Sequence, residues 1–286
     1  MRIHLVFVTY NRLEYTKRAL PSVLADPTER FDLTIWDNAS TDGTAEYLRD
    51  QIDDPRIVDL VLSRENIGQT AAVNRIWADS KADLLGKLDN DCIVTPGWTR
   101  TLAEAHRDIP NLGVVACWHF LPEDFDYERA KHKIQTFGRH QIFRHPWTCG
   151  TGLLIKRETF KRFGPMQQTA TTRYWLEMAL AGYINGFYYP LIHQEHMDDP
   201  MSPHCLIRDA ESFARYRKIT FGLGSGRYQD VEGRRKTRNG MVANLLDEPF
   251  DPRYYVGWRA RKRRLQRRLT QSWERVRARR QQGAPG

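Results

Sequence analysis

No stretch of this 286-residue chain approaches the roughly 18 to 20 uninterrupted apolar residues that a membrane-spanning helix needs, and mean hydropathy is −0.63. An integral membrane protein is therefore not expected. Met1 to Val8 is apolar but short, and the polar run Thr9 to Arg12 follows at once, unlike the apolar core of a secretory signal. It reads instead as a first strand made in the cytoplasm. Cysteine is scarce: Cys92, Cys117, Cys149 and Cys205 lie far apart, without the paired spacing of a zinc ribbon or a redox dithiol, and are expected to be buried apolar residues. Neither Gly-x-x-x-x-Gly-Lys-Ser/Thr nor Gly-x-Gly-x-x-Gly occurs, which argues against a P-loop nucleotidase and a classical dinucleotide oxidoreductase. The excess of positive charge is localised in one segment. Between Arg253 and Arg280, twelve Lys and Arg face a single acid, Glu274, so this segment carries +11 of a net +9 and the remainder carries −2.

What is present in the first half is an alternation of short apolar runs and amphipathic stretches, the pattern of parallel strands joined by crossover helices. Leu5 to Val8, Leu33 to Trp36, Ile57 to Leu62 and Leu84 to Leu88 read as strands. Glu14 to Leu24, Thr44 to Ile52 and Ile67 to Ala78 read as helices. Further on, a helix is expected at Trp98 to Arg107 and a strand at Gly113 to Trp118, then a loop-rich insert from Leu121 to Pro146 facing a ligand or partner. Strands at Gly150 to Ile155 and Phe187 to Tyr189 and helices near Glu158 to Arg162 and Tyr174 to Ala181 follow, with another helix at Leu206 to Ile219. Phe221 to Gly240, glycine-rich and basic, reads as a flexible or lid-like stretch. Trp258, Leu265, Leu269, Trp273 and Val276 fall near one helical stripe among arginines.

In open α/β sheets ligands bind beyond the carboxyl ends of the strands, and those positions here are polar. Thr9 to Arg12 follows the first strand, Asp37 to Thr44 the second, Arg64 to Gly68 the third and Asp89-Asn90-Asp91 the fourth. Two carboxylates at alternate positions of an extended segment face the same side, spaced to share a hard cation such as Mn2+ or Mg2+. A metal-bound diphosphate is the ligand this chemistry suits.

Together, Val8-Thr9-Tyr10-Asn11-Arg12, the Asp37 to Thr44 run, Asn66-Ile67-Gly68 with Asn74, Leu88-Asp89-Asn90-Asp91 and Gly150 to Arg157 followed by Phe163-Gly164 resemble the successive motifs of family 2 glycosyltransferases, over residues 1 to about 200. The resemblance implies a GT-A fold, an α/β architecture with a Rossmann-like mixed central sheet flanked by helices, here with a C-terminal helical extension. With the composition of the C-terminal part, the expected division is a glycosyltransferase domain at 1–205 (nucleotide-binding half 1–95, acceptor half 96–205), a helical and flexible segment at 206–252 and a cationic amphipathic helix at 253–286. The resemblance also implies a nucleotide-sugar donor of the UDP or TDP type, a divalent cation (Mn2+ or Mg2+) and inverting transfer to a hydroxyl acceptor, saccharide or lipid-linked, of the kind found in cell-surface polysaccharide or glycolipid.

Carried over by position, Thr9, Asn11 and Arg12 would line the nucleotide pocket, Asp37 would accept the imino proton of the base, and Arg64, Asn66 and Gly68 would close over base and ribose. Asp89 and Asn90 would meet the ribose or the metal and Asp91 would be the main metal ligand, with His196, ahead of His193, as a further one. The catalytic base departs from the family pattern. Where a carboxylate should stand about a dozen residues before Gly182-Tyr183, this chain has Ala170-Thr171-Thr172. Glu177 is the nearest substitute, with Glu195, Asp198 and Asp199 as alternatives. A zinc site of His193, His196 and Cys205 is the weaker metal reading. Trp118, Trp147, Tyr174 and Trp175 read singly as core and together as a wall on the acceptor side.

The cationic tail suits an anionic membrane surface, which would place the protein in the cytoplasm at the inner face of a membrane; docking on the catalytic domain is the second reading and nucleic acid or an acidic partner the least favoured. Two rival functions are a sugar-nucleotide pyrophosphorylase, whose signature loop Thr9 to Arg12 lacks, and a degenerate non-catalytic fold that binds membrane or nucleic acid through its tail.

Overall fold

A computed structural model describes residues 1–25, 27, 29–168, 170–217 and 228–262. Residues 1–248 form one packed unit and the chain from 249 onward a second. The first unit is built on a nine-stranded sheet. Its strands are β1 (Ile3–Thr9), β2 (Asp32–Asp37), β3 (Ile57–Leu62), β4 (Leu84–Asp89), β6 (Leu112–Ala116), β7 (Ile134–Phe137), β8 (His140–Arg144), β9 (Leu153–Lys156) and β10 (Ile184–Tyr189), while β5 (Cys92–Val94) and β11 (Gln194–His196) pair separately. The helices are α1 (Leu13–Val23), α2 (Thr44–Arg49), α3 (Gln69–Asp79), α4 (Trp98–Asp108), α5 (Tyr127–Ala130), α6 (Arg157–Phe163), α7 (Thr171–Leu180), α8 (Ala210–Tyr216) and α9 (Val231–Asp247).

The sheet order is β3-β2-β1-β4-β9-β6-β10-β8-β7. β1 runs parallel to β2 and β4, and β3 extends this parallel half beyond β2. β9 is antiparallel to both β4 and β6 and so makes the sheet mixed, as the resemblance implied. The two faces are apolar in alternation: Leu5 and Phe7 of β1 enter one core, and Val6 and Val8 enter the other. Strands covered on both faces read as largely apolar runs, which made β1, β2 and β4 legible, while β3 at the sheet edge exposes Val58 and Asp59.

Two expectations need correction. The Leu121 to Pro146 insert is not loop throughout, because 134–144 folds into the antiparallel β7–β8 hairpin, which joins β10 and closes the edge of the sheet. Of the stretch read as flexible from Phe221 to Gly240, residues 231–240 lie inside α9, a 17-residue helix capped by Asp230, whose side chain accepts from the Gly233 N–H. Residues 221–227 lie outside the described residues. Trp118, Tyr174 and Trp175 are 1%, 5% and 3% exposed and belong to the core, as each reads singly.

α9 is fastened by charged groups as well as by Val242, Leu245 and Leu246, which enter the core. Arg235 makes a bidentate contact with Asp124, and the buried Lys133 donates to the carbonyls of Leu245 and Glu248 at the helix end, at 2.5 and 2.8 Å. In the second unit, Arg253 pairs with Asp251 at 2.9 Å and Tyr255 donates to the Pro249 carbonyl at 2.7 Å. Residues 257–262 are helical and Trp258 is 68% exposed; the rest of the expected amphipathic stripe lies outside the described residues. No helix among the described residues is long and apolar enough to cross a membrane.

Candidate functional site

The loops after β1 and β2 are sewn together by side chains. The Asn11 N–H donates to Ser40 Oγ at 2.7 Å, the Thr41 N–H to Asn11 Oδ1 at 2.8 Å, and the Leu13 N–H to Asp42 Oδ2 at 2.9 Å. Asn11 and Arg12 both take positive φ, 53° and 60°, a conformation that needs such external support in residues bearing a Cβ. Asp37, buried at the end of β2, receives Ser40 through both its N–H and its hydroxyl. Beside it, Asn38 Oδ1 accepts from Trp36 Nε1 at 3.1 Å and from the Ile67 N–H at 3.2 Å, tying the third loop to the second. That loop carries Arg64 and Asn66 at the surface. Gly68 precedes α3 at φ 82° and ψ 152°, a conformation that disfavours any residue with a side chain.

Thr9 and Asn90 are walled in beneath this rim. Asn90 Nδ2 lies 3.0 Å from Thr9 Oγ1, 3.0 Å from the Asn11 carbonyl and 3.1 Å from Thr16 Oγ1, so these two residues hold the β1 and β4 loops in register. Asn74 performs a similar task at a distance, exchanging amide hydrogen bonds of 2.7 and 3.0 Å with the backbone of Met166.

Arg12 is the cation at the middle of the site. Its guanidinium, 7% exposed, donates to Asp198 Oδ2 at 2.7 Å, to Asn90 Oδ1 at 3.1 Å and to Asp91 Oδ2 at 3.3 Å. Tyr15 lies beneath it, the guanidinium carbon 5.2 Å from the ring centroid, and its hydroxyl sits 2.9 Å from Asp198 Oδ1. Asp89 is held from the other side. Lys87 Nζ pairs with it at 2.8 Å and also donates to the Gly150 carbonyl, Gln69 Nε2 donates to its carboxylate, and its backbone N–H donates to Thr151 Oγ1 at 3.0 Å. Burial pushes the Asp89 carboxyl up to about 6, with Lys87 opposing and Asp91 adding to the shift.

Two three-residue strands decide which histidine reaches Asp91. β11 pairs antiparallel with β5, His196 opposite Cys92 and Gln194 opposite Val94. Asp91, Cys92 and His196 thereby bring one ligand atom each within 4.8 Å of one another. His193 is not in this group; burial pushes its imidazole down, with Glu195, the Phe120 backbone and Glu123 opposing. Cys205 is also elsewhere, its sulfur 3.3 Å from Arg234.

Burial alone would raise the Asp91 carboxyl, but His196 and Arg12 hold it well below the usual carboxylate range. Burial, and after it Arg238, pushes the His196 imidazole toward its neutral form, so Arg12 is the standing cation beside Asp91 at neutral pH. Burial pushes the Cys92 thiol well up. The Asp91 carboxylate and the His196 imidazole together are a donor pair that fits a divalent cation.

The carboxylates considered as a base are dispersed. Glu177 lies on the outer face of α7, where Oε1 accepts from Arg173 Nε at 2.8 Å and the side chain is 48% exposed. The buried face of α7 is formed by Tyr174, Trp175, Met178 and Ala179. Glu195 accepts from Ser202 Oγ at 2.6 Å and His204 Nδ1 at 2.9 Å. Asp198 is committed to Arg12 and Tyr15. Asp199 accepts from the Met201 N–H at 2.9 Å. Lys87, Tyr15 and Arg238 are site residues that the sequence reading did not single out. Lys87 had a signal in its position two residues before Asp89 on the same strand, and Arg238 had none.

A mixed α/β sheet whose loops converge on paired aspartates is a sugar-nucleotide transferase architecture, and the comparisons agree. The family model described as glycosyl transferase family 2 matches residues 5–164, and the chain belongs to that family. Among curated proteins it is similar to the succinoglycan biosynthesis protein ExoU of Rhizobium meliloti (strain 1021), 33% identical over 133 residues, which cover 46% of this chain and 36% of that protein. The alignment thus spans about a third of the relative's length. Among solved structures it resembles the mannosyltransferase PcManGT of Pyrobaculum calidifontis, in complex with GDP-Man and Mn2+, with a TM-score of 0.57 and 18% identity over 86% of this chain and 72% of that one. This likeness establishes the GT-A fold.

Proposed function

We propose that the protein transfers a sugar, with inversion, from a nucleoside-diphosphate donor to a hydroxyl of a saccharide or lipid-linked acceptor in a divalent-cation-dependent reaction. The observation that carries the reading is the meeting of Asp91 and His196 beside the buried Arg12, just beyond the end of β4, in the same parallel half of the sheet as β2, which ends at Asp37, and β3, whose following loop carries Gly68. In this reading the Asp37 carboxylate accepts an N–H of the base. Uracil, thymine and guanine each offer one; UDP and TDP were favoured on the sequence, and the solved relative holds GDP-Man. Gly68 lets the backbone approach the nucleoside.

Asp91 and His196 would hold Mn2+ or Mg2+, which when bound supplies positive charge to the departing diphosphate. Arg12 keeps Asp91 ionised and oriented, and Lys87 with Thr151 fixes Asp89 against the acceptor half. The acceptor class is supported by the name of the ExoU relative, and the cationic 253–286 segment suits an anionic membrane surface on its composition. Isothermal titration of UDP, TDP and GDP, with and without Mn2+, tests the reading on wild type and Asp91→Ala. Metal-dependent binding of one diphosphate, lost in Asp91→Ala, is expected. Absence of binding by all three with Mn2+ present overturns the proposal.

A further inference from the structure

Arg238 Nη2 lies 3.0 Å from His196 Nδ1. A guanidinium can only donate, so Nδ1 must turn its lone pair toward Arg238, and in a neutral ring the proton then sits on Nε2. This arrangement closes both nitrogens to a metal. A cation on Nδ1 needs the lone pair that Arg238 now occupies. A cation on Nε2 needs the proton moved to Nδ1, where an N–H would face the N–H groups of Arg238. The Arg238–His196 bond and metal ligation by His196 therefore exclude each other.

The position of Arg238 is built in. Arg234, one turn earlier on the same face of α9, is buried and donates to the Ile207 carbonyl at 2.7 Å and the Asp198 carbonyl at 2.9 Å, so the helix is pinned to the loop that follows β11. Lys133 and the Arg235–Asp124 pair fix it further along. Arg238 itself is only 15% exposed, and its Nε stands 3.7 Å from Asp199 Oδ2, a buried oxygen without a hydrogen-bond partner. Its one hydrogen bond to the site is thus with a neutral ring. An anionic diphosphate would be a stronger partner, since charge-assisted hydrogen bonds are about twice as strong as neutral ones.

We infer that Arg238 is an internal competitor for the metal ligand His196: it occupies the imidazole in the empty enzyme and leaves it for the diphosphate when metal and nucleotide bind together. The inference rests on the metal-binding reading of the Asp91 centre. It makes ordered loading a property of one arginine supplied from outside the family-matched region, with cation alone bound poorly and cation with nucleoside diphosphate bound well.

The test uses the full chain and Arg238→Met, which removes charge and donors but keeps an unbranched side chain. Mn2+ alone is titrated first, then Mn2+ with UDP and with GDP, with circular dichroism and thermal melting as controls of folding. Mn2+ alone is expected to bind the variant roughly tenfold or more tightly than wild type, because a buried like charge is gone. The better bound of the two nucleotides with Mn2+ is expected to bind it roughly tenfold more weakly, through loss of a charge-assisted contact. Arg238→Gln, with a neutral N–H donor, should fall between. In metal-free wild type, nitrogen-15 spectra of labelled histidine should show His196 protonated on Nε2, a readout that needs no variant. Protonation on Nδ1, or unchanged or weaker Mn2+ binding in a folded Arg238→Met, overturns the inference and leaves the metal reading standing. Wild type that binds no Mn2+ with or without either nucleotide overturns both.

Discussion

Arg12 and Asp198 lie 186 residues apart in sequence and 2.7 Å apart in the fold, an ion pair that is nearly free of solvent at both ends. The same guanidinium reaches Asp91, so one cation serves the stability of the two loops and the charge of the proposed metal ligand. Removing it strands two buried carboxylates. Arg12→Met should cost about 3–5 kcal/mol, read by urea denaturation, the range for breaking a buried pair by deleting one partner. Combining it with Asp198→Asn should recover part of that loss, because one stranded charge disappears. Additive losses in the double variant would show that the pair is not coupled as described.

Gly68 stands at φ 82° and ψ 152° immediately before α3. A Cβ there forces a sparsely populated conformation, at about 1–3 kcal/mol, and also meets the Gln168 side chain. Gly68→Ala is expected to lower the melting temperature by several degrees and to weaken nucleoside diphosphate binding roughly tenfold, since the loop can relieve strain only by leaving its present path. A variant that keeps wild-type nucleotide affinity would remove this loop from the proposed pocket.

The parallel half of the sheet was legible because strands buried on both faces are largely apolar, as in Leu5 to Val8, and because crossover helices carry their own period. β5 and β11 were not. Three residues hold no period, and Gln194-Glu195-His196 reads as a polar loop until its pairing with Cys92 to Val94 is seen. α9 was hidden for a related reason: Gly233 and Gly240 weaken its local signal, and Arg234, Arg235 and Arg238 earn their places through distant carbonyls, a carboxylate and an imidazole. Asp91 was legible as a ligand type, but only the β5–β11 pairing separates His196 from His193.

Two buried histidines tie stability to pH. Burial pushes His106 and His145 down to about 3, and both are neutral in the fold. The unfolded chain titrates near 6.5, so below that pH it takes up protons that the native state refuses. Their stabilisation is complete above pH 6.5 and is lost as pH falls from 6.5 toward 3. At pH 5.5 each histidine accounts for about 1.4 kcal/mol, or about 3 kcal/mol together. Urea midpoints measured at pH 7.5 and 5.5 should drop accordingly; a flat profile across this range would falsify the assignment of both rings as neutral.

Glu177 carries the sharpest disagreement between motif and geometry. By position it is the nearest carboxylate to the place where the family sets its base, yet it faces outward on α7 and is paired with Arg173. Loss of a general base lowers turnover by about a hundred- to ten-thousandfold. Loss of an exposed i,i+4 ion pair costs about 0.3–0.5 kcal/mol of stability and leaves the chemistry alone. Glu177→Gln is therefore expected to retain turnover within about fivefold of wild type, measured as donor-dependent release of nucleoside diphosphate, because the observed pairing places it on the second of these scales. A fall of about a hundredfold or more, with Mn2+ and nucleotide binding intact, would instead make Glu177 the base. It would require α7 to turn this side chain inward when acceptor binds, away from Arg173.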